Sequence, residues 1–62
     1  MHEQYARQAE QKLSQLPEGE RQRVTQNEDA LAKWILQSIA GNAAYDVVKK
    51  AAILVLSRGR KR

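Results

Sequence analysis

Three observations predict an all-α fold of three short helices. Apolar residues recur at three- and four-residue spacing, Pro17, Gly19, Gly41 and Gly59 cut the chain into helix-length pieces, and no stretch alternates apolar with polar. At 62 residues the chain is one small helical domain, too short for a second domain or a deep catalytic cleft.

The first helix is placed at 3–16, where Tyr5, Ala9, Leu13 and Leu16 make one narrow stripe among Gln, Glu, Arg and Lys. Leu16-Pro17 ends it, because the residue before a proline avoids the α region. From Pro17 to Thr25 only Val24 is aliphatic, and the segment reads either as a loop or as the first turns of the next helix. Thr25-Gln26-Asn27-Glu28 fits a capping box, with Asn27 as a rival cap, so the second helix is placed at 26–40. Leu31, Trp34, Ile35, Ser38 and Ile39 share its apolar face, and Gly41 occupies the position of a left-handed stop. Asn42 then caps a third helix at 43–57, whose stripe is Ala44, Val47, Val48, Ala51, Leu54 and Val55. The short link predicts a helical hairpin between the second and third helices.

Ten of the 13 Val, Ile and Leu residues lie between Leu31 and Leu56, and the run Ala51–Leu56 is apolar all round. Two helices cannot cover that surface. The first helix supplies part of the cover, and a second copy or a partner protein is expected to complete a helical bundle. A chain this short without disulfides is marginal alone, which points the same way. The expected interface is Leu31, Trp34, Ile35, Ile39, Val47, Val48, Leu54 and Val55; Trp34 reads first as a core anchor and second as a contact hot spot.

Eleven basic residues against seven acidic give a net charge of +4, and the pI is about 9.9. Arg58, Arg60, Lys61 and Arg62 lie in the last five positions, leaving residues 1–57 with seven charges of each sign. The excess is a basic tail, 58–62, and these four residues are the candidate polyanion contacts. A solvated tail completing the helix end competes evenly with that reading. Dimerisation would double the charge from +4 to +8, which makes nucleic acid the alternative partner. A membrane surface is less favoured, since the Lys49-Lys50 face is small and Tyr45 is the only aromatic of its helix. A helix-turn-helix reading fails, because Ala43, Ala44, Tyr45, Asp46 and Lys49 offer few bidentate donors for base edges and place a carboxylate near phosphate. A ribbon-helix-helix reading with Arg21–Thr25 as the strand has the right chain order but no alternating face.

Catalytic signals are missing. There is no cysteine, no Gly-rich phosphate loop, no metal-ligand cluster and no convergent Ser, His and acid set. His2 is the only histidine and stands beside the initiator methionine. Glu18 with Glu20, and Glu28 with Asp29, read as solubility and capping rather than acid–base pairs. Without a signal-like apolar stretch or cysteines, a cytoplasmic location is expected. The sequence therefore predicts no enzyme, cofactor, metal or small-molecule substrate. The expected function is a small helical interaction or oligomerisation module, an adaptor or regulatory protein; the alternative is a basic nucleic-acid-binding protein acting as a dimer through its tail.

Overall fold

The computed structural model describes residues 2–59, which form four α-helices and no strand. The helices are α1 (His2–Leu13), α2 (Glu18–Val24), α3 (Glu28–Ser38) and α4 (Tyr45–Gly59). The all-helical expectation holds, and the number of helices is corrected from three to four.

α1 stops at Leu13 instead of Leu16. The backbone tightens first: the Gln15 N–H reaches the Lys12 carbonyl at 3.0 Å and the Leu16 N–H the Leu13 carbonyl at 3.1 Å, both three-residue turns. The segment that sequence left open between loop and helix is α2, which also removes the Arg21–Thr25 strand of the ribbon reading. None of its seven residues is fully buried and only Val24 packs against the core, so charge placement and the preset φ of Pro17 add to that one apolar contact. Pro17 stands at the N-cap with φ −58°, Glu18 and Glu20 occupy the first turn, and Arg21 and Arg23 the last, each sign facing the favourable end of the helix dipole. Thr25 closes α2 by donating its N–H at 3.0 Å and its hydroxyl at 2.8 Å to the Arg21 carbonyl.

Thr25 is thus spent on the helix before it, and Asn27 caps α3, its side chain accepting the Ala30 N–H at 2.8 Å. α3 ends at Ser38 rather than residue 40. The Ile39 and Ala40 N–H groups both turn back onto the Ile35 carbonyl, at 2.8 and 2.9 Å. No glycine in the described residues has positive φ, so Gly41 is not the left-handed stop that its position implied. Nor does Asn42 open α4, which begins three residues later: the Ala44 carbonyl accepts from Val47 and Val48 at 3.1 and 3.2 Å.

The core joins Ala6, Ala9 and Leu13 of α1, Leu31, Ala32 and Ile35 of α3, Ala40 of the link, and Val48, Ala51, Ala52 and Val55 of α4. The α4 members fall at i, i+3, i+4 and i+7, one stripe packed on α3 and on α1. Alanines on both α1 and α4 permit close approach of the two backbones. No polar or charged residue is buried among those described. The end of α4 that looked too apolar for one molecule is therefore covered from two sides by the chain's own helices.

Candidate interaction surface

Of the eight residues expected at an interface, Leu31, Ile35 and Val48 are fully buried and Val55 nearly so. They belong to the chain's own core. Trp34, Ile39 and Leu54 are half-buried and pack at the edge of the core, and Val47 is half-buried outside it. The structure thus divides a set that sequence treated as one face.

The large apolar side chains left exposed are Tyr45, at 42%, and Ile53, at 44%, both on α4. Tyr45, Lys49, Ile53 and Leu56 follow one another at four-, four- and three-residue steps, one stripe beside the inward one. Leu56 and Ile53 line an open groove of about 710 Å³ with Asn27, Glu28, Asp29 and Lys49, at the first turn of α3. Leu56 also lines a second open groove, about 520 Å³, with Leu13, Val55, Glu18 and Arg21, where α2 passes the end of α4. Ile53 and Leu56 therefore form an apolar ridge with a groove on each side of Leu56. Asp29 anchors the start of the stripe: its Oδ1 lies 3.7 Å from Lys49 Nζ and 3.4 Å from the Tyr45 hydroxyl that donates to it.

Sequence reasoning missed Ile53, Leu56, Tyr45 and Lys49 as a set. The available signal was the position of Ile53 outside the stripe of Ala44, Val47, Val48, Ala51, Leu54 and Val55. An isoleucine off the core stripe of an amphipathic helix has to face something else.

Among the proposed polyanion contacts, Arg58 is already engaged. Its Nη2 donates to Glu3 Oε2 at 2.8 Å and its Nη1 to Glu10 Oε2 at 3.1 Å, tying the last turn of α4 to α1. Hydrogen bonding to Arg58, and then its charge, hold the Glu3 carboxyl below the usual range. Arg7, 3.9 Å from Glu3, adds to this, and slight burial opposes it. The same bonds, from Glu10 first and then Glu3, keep the Arg58 guanidinium charged. Arg60, Lys61 and Arg62 lie outside the described residues.

Among the described residues, no group of three or more His, Cys, Asp or Glu can hold a metal ion, and no helix is long and apolar enough to cross a membrane. No protein-family model, curated protein or solved structure matches the chain.

Proposed function

We propose that this protein is a non-enzymatic interaction module that associates reversibly with a second copy of itself through the outer stripe of α4. The observation that carries the reading is Ile53, an isoleucine 44% exposed on a ridge with Leu56 between two open grooves. Covering the part of Ile53 that is still exposed contributes about 1 kcal/mol, enough to orient a contact and too little to make one alone. Leu56 and Tyr45 extend the apolar area along the same stripe. Lys49 and Asp29 supply opposite charges at its border, and in a two-fold contact each can meet its counterpart from the other copy.

Size limits the strength. A stable interface takes roughly 800 Å² from each partner, about a fifth of this chain's 4442 Å² surface. Because the core is complete within one chain, association is weak and concentration-dependent rather than a condition of folding. The bundle expected from sequence put Leu31, Ile35, Val48 and Val55 at the contact, whereas this reading moves it to the outer stripe of α4.

Sedimentation equilibrium from micromolar to millimolar concentration tests the reading. The average mass of the native chain should rise across the series, and Ile53→Glu should remain monomeric while keeping the helical circular dichroism of the native chain. A native chain that stays monomeric throughout excludes self-association through α4.

A further inference from the structure

We infer that the second copy is seated by a two-fold axis running along α4, so that each molecule's ridge of Ile53 and Leu56 enters the other's groove at the start of α3 and each Lys49 meets the partner's Asp29. The inference rests on the self-association proposed above and adds to it which way round the partner sits.

Each copy carries the two halves of the contact side by side. One wall of the larger groove is the α4 stripe of Lys49, Ile53 and Leu56, and the other is Asn27, Glu28 and Asp29. The walls are level at Lys49 and Asp29, whose charged atoms lie 3.7 Å apart. At that distance Lys49 attracts Asp29 without hydrogen bonding to it, so its three N–H groups are not spent there. On Asp29 the Tyr45 hydroxyl donates to Oδ1, while Oδ2 accepts no hydrogen bond among the described residues. Both side chains are open to solvent, Lys49 being 41% and Asp29 69% exposed. A donor and an acceptor thus stand available on opposite walls at one level.

A face-to-face contact between two copies has its two-fold axis in the plane of contact, and two directions are the extremes. An axis across α4 leaves every residue on its own side and reverses the levels. Stripe then meets stripe, and with the axis at Ile53 each Lys49 faces the partner's Ser57, which offers no charge. The wall of Glu28 and Asp29 is set against the same acidic wall of the other copy. An axis along α4 does the opposite, keeping levels and exchanging sides. Ridge then meets groove, Lys49 meets the partner's Asp29, and Asp29 meets the partner's Lys49. The four charges alternate around a ring with like signs on its diagonals. Ion pairs this exposed add little affinity, but opposite signs in contact select one docked orientation over another. Covering Ile53 and Leu56 supplies the attraction, and the ring supplies the orientation.

Disulfide trapping in the full chain tests the seating, because the sequence contains no cysteine and introduced thiols pair only with each other. Lys49→Cys and Asp29→Cys are mixed in equal amounts, oxidised at a concentration where the native chain associates, and the covalent dimers sorted by mass. In the mixed dimer one ion pair becomes the disulfide and the other is retained, so the mixed species should outnumber the two homodimers together by about threefold or more. Lys49→Cys with Ser57→Cys should give the even division of random pairing. Enrichment of the 49–57 dimer in place of the 49–29 dimer, or random pairing in both mixtures, would overturn the seating while leaving self-association intact. A native chain that stays monomeric in sedimentation removes the association itself, and the seating with it. If circular dichroism shows that Asp29→Cys loses helix, Glu28→Cys on the same wall takes its place and is judged by the same outcomes.

Discussion

Asn27 Oδ1 accepts the Ala30 N–H at 2.8 Å and so satisfies one of the four amides that the first turn of α3 leaves without a helical partner. Two residues earlier, the Thr25 hydroxyl donates back to the Arg21 carbonyl and serves α2 instead. Asn27→Ala should therefore destabilise the protein by about 1 kcal/mol, lowering the melting temperature by about 4–8 °C. Thr25→Ala, which removes no α3 cap, should cost less. Thermal melts followed by circular dichroism separate the two; a larger loss at Thr25 would restore the capping box that the sequence predicts.

Leu31 and Ile53 are both aliphatic, and the fold gives them opposite duties. Leu31 is fully enclosed between α3 and the rest of the core, so Leu31→Ala should remove about 2–5 kcal/mol. In a domain whose total stability is of that order, the variant should be largely unfolded at room temperature. Ile53→Ala removes a side chain that is 44% exposed and should cost less than about 1 kcal/mol. Urea denaturation of both variants checks this. Similar losses would mean that Ile53 is core and not surface.

The helical class and the inward positions of Leu31, Ile35, Val48, Ala51 and Val55 were legible in the sequence, because burial imposes a period that residues display directly; the expected stripes also took in Ser38 and Ala44, which are exposed, and the α4 stripe left out Ala52, which is fully buried. α2 was not legible. It has no buried residue and its stabilisation comes from charges at its ends and the fixed φ of Pro17, features that loops also carry. The candidate surface was obscured for a related reason. Apolar residues on the inner and outer sides of α4 look alike in a chain, and only the packed fold separates Val55, 6% exposed, from Ile53, 44% exposed. The hydrogen bonds of Arg58 to Glu3 and Glu10 join residues 55 and 48 positions apart, a separation over which sequence spacing says nothing.

The Glu3 carboxyl titrates below its ordinary value of 4.5, chiefly because Arg58 donates a hydrogen bond to it and then through the charges of Arg58, Arg7 and His2. Folding thus favours the ionised form. Its contribution to stability is present in full above the unfolded value and is lost as pH falls through the lower folded one. The melting temperature should decline with acidification in that window. In Glu3→Gln the decline should be shallower, and added salt should flatten the native curve toward the variant's. Parallel pH curves for the native chain and the variant would show that Glu3 does not contribute.

Glycine substitutions test the backbone directly. Gly19 sits in α2 without positive φ, and a Cβ built there meets nothing within 4 Å. Gly19→Ala should therefore stabilise α2 by about 0.5–1 kcal/mol, because alanine loses less conformational freedom on entering a helix. Since α2 has no fully buried residue, the gain should appear first as slower hydrogen exchange of the α2 amides rather than in the global melt. At Gly41 a Cβ would meet the Leu36 carbonyl oxygen at 3.8 Å, an ordinary contact, again without positive φ. Gly41→Ala should leave stability within about 0.5 kcal/mol of the native chain. A left-handed stop at that position would instead make the alanine cost about 1 kcal/mol or more, so one melting curve decides between the turn observed and the one its sequence position implied.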